Sequence, residues 1–127
     1  MKKIVISIFI VLGSVVFFSQ LALAAPRVYV GLDGGPLGGQ APLNSRFTAT
    51  VDTPEYSGNV NWALHCVTGV AFSQYRAPEG STSFDCRYSA GGTYHARIRA
   101  WFPTNVACSR CSDGDGLYVY VSEPAGP

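Results

Sequence analysis

The chain has 127 residues, 47% of them hydrophobic and 13% charged, with nine basic side chains against eight acidic ones. So even a balance argues against bulk polyanion binding of the kind that carries nucleic-acid proteins, although a local arginine cluster can still matter. The length bounds the chain to one domain with a modest core.

The first element is an address. Lys2 and Lys3 form a positive start, Ile4 to Phe18 is an almost unbroken apolar run, and Ala22-Leu23-Ala24 supplies a small-x-small cleavage site. Residues 1–24 therefore read as a bacterial secretory signal, with residues 25–127 as the single mature domain. Cutting after Ala25 would put Pro26 at the scissile bond, which peptidases tolerate poorly. Removing 24 of the 127 residues leaves 103, with seven arginines, no lysine and eight acids, a net charge of −1. No later segment is apolar enough to span a bilayer. A secreted or periplasmic product without stable membrane insertion is expected.

The mature region alternates in polarity between clusters of Gly, Pro, Asn and Asp, the all-β pattern. Arg27–Asp33 turns Val28, Val30 and Leu32 to one face. Gly34-Gly35-Pro36-Leu37-Gly38-Gly39 is expected to be a loop, since glycine and proline weaken a ladder. Ser45–Asp52 puts Phe47, Ala49 and Val51 inward, and Asn59–Cys66 aligns Val60, Trp62, Leu64 and Cys66. Residues 67–80 are ambiguous, with Val70–Phe72 read as a short edge strand. Thr82–Tyr88 aligns Thr82, Phe84, Cys86 and Tyr88. Gly92–Phe102 turns Tyr94, Ala96, Ile98, Ala100 and Phe102 inward, and Leu117–Ser122 does the same with Leu117, Val119 and Val121. About seven short strands with one apolar face each predict a two-sheet antiparallel sandwich.

Two stretches carry a resemblance. Tyr88-Ser-Ala-Gly91-Gly92-Thr93-Tyr94 is similar to the Tyr-x-x-x-Gly-Thr-Tyr segment of PKD-type immunoglobulin-like domains, and Trp62 resembles their core tryptophan. The Trp-x-Phe-Gly-Asp-Gly turn of that family is replaced here by Trp62-Ala-Leu-His-Cys-Val. The resemblance implies an immunoglobulin-like sandwich whose usual roles are adhesion, spacing or ligand contact.

Cys66, Cys86, Cys108 and Cys111 all lie in the exported part, where an even count reads as disulfides with three connectivities open. Strand parity favours Cys66–Cys86, provided that their strands lie in opposite sheets; that bond would resemble the inter-sheet cystine of immunoglobulin domains. Cys108-Ser-Arg-Cys111 is then left as a local cystine in a loop. The sharper alternative is a redox or metal accessory role for this C-x-x-C, with Arg110 favouring a thiolate.

Recognisable chemistry is sparse. Asp113-Gly114-Asp115-Gly116 spaces carboxylates as calcium loops do, but lacks the following acid, and Asp-Gly is also a hairpin turn pair. Neither a metal nor a cofactor is expected. Hydrolase serine motifs, paired catalytic carboxylates and phosphate-binding glycine loops are not recognisable, and the alternation sets no inward carboxylate or pocket nucleophile with the outward His65 and His95, so no enzyme is expected. The outward positions are richer. Thr93, His95, Arg97, Arg99 and Trp101 point outward on the long strand, Tyr118 and Tyr120 on the last, and Asn61, Ala63 and His65 on the third. If the three strands are neighbours, they form one open face of the residue types enriched at interface hot spots, although Arg and Tyr also pair across exposed strands to stabilise a sheet. The expected role is a non-enzymatic binding or adhesion module for a protein or glycan at the cell envelope or outside the cell, not for nucleic acid; the other candidate is a structural subunit of an extracellular assembly.

Expression with the leader intact in a secretion-competent host should yield protein whose N-terminal sequencing begins at Ala25. Recovery of the uncleaved chain in the membrane fraction would refute the signal.

Overall fold

The computed structural model describes residues 25–69 and 73–124. The leader 1–24 and the Val70–Phe72 strand expectation lie outside these residues. Eight strands succeed one another: β1 (Tyr29–Gly35), β2 (Gly38–Gln40), β3 (Leu43–Asp52), β4 (Val60–His65), β5 (Ser73–Ala77), β6 (Gly80–Tyr88), β7 (Gly92–Trp101) and β8 (Ser112–Ser122). They form two sheets, β1-β3-β6 and β2-β8-β7-β4-β5, packed face to face as an immunoglobulin-like sandwich.

Side-chain alternation makes the layers. All ten positions of β3 alternate buried and exposed, because a strand turns successive side chains to opposite faces. Phe47, Ala49 and Val51 meet Val60, Ile98 and Val119 from the opposite sheet in the core, all nearly or fully buried. Burying a side chain of the size of Phe47 or Ile98 is worth about 1.5–3 kcal/mol. Trp62 lies in this core, stacks on Tyr75 at 5.5 Å and donates its indole N–H to the Ala77 carbonyl at 3.3 Å.

The Cys66–Cys86 disulfide forms, with 5.6 Å between Cα atoms, and joins the residue after β4 to β6 across the sandwich. Tyr88 donates its hydroxyl to the Cys66 carbonyl at 2.9 Å and stacks on Tyr94 at 4.6 Å. Tyr94 in turn donates to the Ala90 carbonyl at 2.7 Å, closing the β6–β7 corner. A tyrosine bonding back to its own corner recurs in immunoglobulin-like sandwiches, and it gives the Tyr88–Tyr94 segment its physical meaning.

Three expectations are corrected. The glycine run Gly34–Gly39 does hold ladders: Gly34 and Gly35 pair with Phe47 and Arg46 of β3, whereas Gly38 and Gly39 pair in parallel with Tyr120 and Val121 of β8. The first strand thus leaves one sheet and joins the other, which makes the count eight and one pairing parallel. Gly34 permits the switch: its φ is +141°, and a side-chain carbon there would sit 2.8 Å from the Phe47 Cα. Second, Asp113–Gly116 is not a turn but the start of β8, paired with Ala100 to Arg97 of β7. Third, Ala63 points to the outer side of its sheet but is buried, between Gln74 and Arg99 in the register.

Hydrogen bonding explains why Asp113–Gly116 is strand and not turn. The N–H groups of Val28, Val30 and Leu32 point away from β3, and a sheet edge left with bare amides is costly. All three find acceptors on the segment entering β8: the Arg110 carbonyl at 3.0 Å, Asp113 Oδ2 at 2.9 Å and Asp115 Oδ2 at 2.9 Å. Arg110 completes the clasp by donating to the Val28 carbonyl at 3.1 Å and to Asp113 Oδ1 at 2.6 Å, with its guanidinium 5.1 Å from the Tyr29 ring centre. Burial raises the Asp113 carboxyl's pKa, but the Val30 amide, the Arg110 guanidinium and the Gly114 amide together outweigh it and hold it below the ordinary aspartate value.

Because that pKa is lower folded than unfolded, the carboxylate's contribution is full above about pH 4 and is lost as pH falls through the folded value. Asp113→Asn should therefore flatten the loss of stability below about pH 4, and Asp113→Ala should cost about 1–2 kcal/mol by stranding the Val30 amide. Chemical denaturation across pH, with hydrogen exchange at Val30 and Leu32, checks both; unchanged acid sensitivity in Asp113→Asn would refute the clasp.

Candidate binding face

The outer side of the five-stranded sheet collects the predicted residues in register. Asn61 lies beside Trp101, Ala63 beside Arg99 and His65 beside Arg97, while His95 lies beside Tyr118 and Thr93 beside Tyr120. β4, β7 and β8 are neighbours, so His65, His95, Arg97, Arg99, Trp101, Tyr118 and Tyr120 do share one surface. Tyr118 and Tyr120 are 56% and 61% exposed, high for aromatic side chains on a strand.

Local contacts give the surface its shape. His95 and Tyr118 stack at 4.3 Å with 11° between their planes. The Arg99 guanidinium sits 5.7 Å from the Trp101 ring centre, within cation–π range. Gly114 and Gly116 face the same side, and their missing side chains make room. A side-chain carbon on Gly116 would fall on His95 Nε2, and one on Gly114 would come 3.1 Å from Arg97 Nη2. Arg97 and His95 therefore lie down across β8.

Several residues of this face were not singled out from the sequence. Arg76 of β5 donates from Nε to Asn61 Oδ1 at 2.9 Å and adds a third guanidinium; the alternation of Gln74 and Arg76 with Tyr75 and Ala77 was the available signal. Thr68 donates its hydroxyl to the His95 carbonyl at 3.1 Å, binding the chain after β4 onto β7. With Gly69, His65, Arg97 and Arg99 it lines a half-open cavity of about 340 Å³. A shallower hollow of about 400 Å³ lies beside Tyr120, against Gly39 and Gly92.

The outer side of the other sheet is different in kind. Thr48 and Thr50 face Ser83 and Ser81 in hydroxyl pairs at 3.3 and 3.2 Å, and Arg46 is paired with Asp85 at 3.3 Å. These hydroxyls and this ion pair satisfy one another across the strands, while Arg87 lies beside Asn44.

Cys108 and Cys111 are joined to each other, with 5.2 Å between Cα atoms. Their loop belongs to the clasp on β1: Ser109 donates its amide to the Pro26 carbonyl at 2.9 Å. Arg110 is held by Val28, Asp113 and Tyr29 instead of being aimed at a sulfur. Both Asp113 oxygens are likewise occupied by protein donors, and among the described residues no group of three or more His, Cys, Asp or Glu converges.

No protein-family model matches the chain, and no curated protein matches it. Solved structures do. The CARDB domain of a Pyrococcus furiosus protein, in complex with di-metal ions, aligns with a TM-score of 0.66 at 12% identity over 77% of this chain and 90% of that one. The PKD domain of an M14-like peptidase from a Thermoplasmatales archaeon aligns with a TM-score of 0.55 at 17% identity, over 80% and 98%. The PKD domain of the human VPS10 domain-containing receptor SorCS2 gives 0.50 at 17%, over 80% and 76%. Identities this low speak to fold and leave function to the site. The described residues share the all-β, two-sheet fold of these CARDB and PKD domains, and the PKD-type sandwich is the one that the Tyr88–Tyr94 segment and Trp62 implied.

Proposed function

We propose that this protein is a non-enzymatic binding module, secreted or periplasmic, that contacts a protein or glycan through the outer face of its five-stranded sheet. The observation that carries this reading is the contrast between the two outer faces. One pairs its Thr and Ser hydroxyls and its Arg46–Asp85 charges across the strands and, among the described residues of β1, β3 and β6, carries no exposed tryptophan and no arginine cluster. The other presents Arg97 and Arg99 beside Trp101, Tyr118 and Tyr120, with glycines on β8 that keep it open. Tyr, Trp and Arg bury much area for little entropy loss and still donate hydrogen bonds, and for that reason they dominate interface energetics. The two cystines support an oxidising compartment.

No observation favours chemistry at the Cys108–Cys111 loop, whose groups are occupied in holding β1. Binding on a rigid sheet face needs none.

Arg97→Ala, Arg99→Ala and Trp101→Ala combined should reduce capture of a partner, on glycan arrays or from cell-envelope extracts, at least about tenfold. The thermal midpoint should fall by only a few degrees, since Arg99 is exposed and Arg97 and Trp101, though half-buried, lie outside the core. The control Thr48→Ala with Thr50→Ala, on the opposite face, should keep full capture. Equal capture by the triple variant would refute the reading.

A further inference from the structure

The cavity among His65, Thr68, Gly69, Arg97 and Arg99 carries an electrostatic feature that the face as a whole does not need. Arg97 and Arg99 are two residues apart on β7 with both side chains on the same side of the sheet, so their attachment points lie about 7 Å apart. Among the described residues the ion pairs are Arg46–Asp85 and Arg110–Asp113; neither cavity arginine is in one. Among the described residues of β4, β5, β7 and β8 the only acids are Asp113 and Asp115, and neither is on the outer side. Asp113 and Asp115, the acids of β8, turn inward to the β1 amides, Asp85 lies on the other sheet with Arg46, and Glu79 accepts from the Thr53 amide. A domain of net charge −1 thus places three arginines, 76, 97 and 99, on one face and turns both acids of those strands away from it.

Two arginines on one side of the sheet, with no acid of these strands to offset them, make a positive local field that favours an oxyanion seated beside them. Guanidinium groups suit this task because their fixed donors match the paired oxygens of a carboxylate or sulfate. The volume, about 340 Å³, lies at the small end of ligand cavities, which fits one ring bearing one anionic group better than a broad macromolecular surface. Alongside it, the parallel His95 and Tyr118 rings and the exposed Tyr120 provide flat apolar surfaces in a line down the sheet. Planar rings of that kind pack against the apolar faces of sugars.

We infer that this cavity is the anchoring subsite for an acidic glycan, with Arg97 and Arg99 gripping a sugar carboxylate or sulfate while the His95–Tyr118 stack and Tyr120 support neighbouring sugar rings. The inference rests on the binding-face reading and names its ligand class.

The test uses the exported protein and four probes: a tetragalacturonate, its methyl ester, a sulfated heparin disaccharide and a glutamate-rich peptide, each followed by calorimetry and by amide NMR shifts. At least one acidic sugar should bind and perturb Thr68, Arg97 and Arg99; which of the two binds identifies the oxyanion as carboxylate or sulfate. If the carboxylate is the anchor, the methyl ester should bind at least about tenfold more weakly, the factor expected from losing one charge-assisted contact. Arg97→Gln and Arg99→Gln should each weaken the bound acidic sugar by a similar factor, and raised salt should weaken it further. Tyr118→Ala should weaken the acidic sugar without removing its preference over the neutral ester. Equal binding of acid and ester, with no sulfate binding, would overturn the subsite. So would sugar binding that ignores both arginine changes; if Tyr118→Ala or Trp101→Ala still weakened it, the binding face would stand without its anionic anchor. The peptide binding more tightly than either acidic sugar would overturn the glycan assignment and again spare the face. Indifference of every probe to the arginine and aromatic changes alike would overturn both.

Discussion

The amide row of β1 is the constraint on which much of this molecule depends. A sandwich strand paired on one side only must find acceptors for the N–H groups on its other side, or leave them to water and to other chains. Here Val28, Val30 and Leu32 are met by the Arg110 carbonyl and by the carboxylates of Asp113 and Asp115. The acceptors come from the opposite sheet, so satisfying the edge also ties the two layers together. The Cys108–Cys111 cystine stiffens the loop that delivers them.

That constraint reaches the outer surface through strand geometry. If Asp113 and Asp115 turn inward, the residues between and after them must turn outward, because the side-chain period of a strand is two. Those residues are Gly114 and Gly116. Their lack of side chains gives Arg97 and His95 the space in which they lie across β8. One four-residue repeat of Asp and Gly therefore closes an edge on its inner side and clears a platform on its outer side. A substitution at either set would be felt on both surfaces of the sheet.

Charge is sorted by the same means. Two of the domain's acids are drawn into backbone hydrogen bonds at β1, another into the cross-strand pair with Arg46. What remains on the outer face is cationic and aromatic, although the domain as a whole is close to neutral. Net charge thus describes the molecule poorly as a ligand sees it; a local field is set by which face each side chain occupies.

Much of this was legible along the chain. Alternation in Ser45–Asp52 and Gly92–Phe102 determined which residues are buried, because period two is a local property and the hydrophobic effect has only one side to choose. It also supplied the Cys66–Cys86 pairing and the outward set His95, Arg97, Arg99, Tyr118 and Tyr120. The sheet switch at Gly34–Gly39 was not legible, since glycine lowers strand propensity locally and its pairing is decided by distant β3 and β8. Nor was the role of Asp113–Gly116, where a local turn signal gave way to the amides of a strand more than eighty residues earlier. The cavity beside Arg97 and Arg99 needed Thr68 and Gly69 folded back onto β7. The sequence by itself determined what each strand buries; only the tertiary structure decided which edges and which charges would meet, because those meetings join residues far apart in the chain.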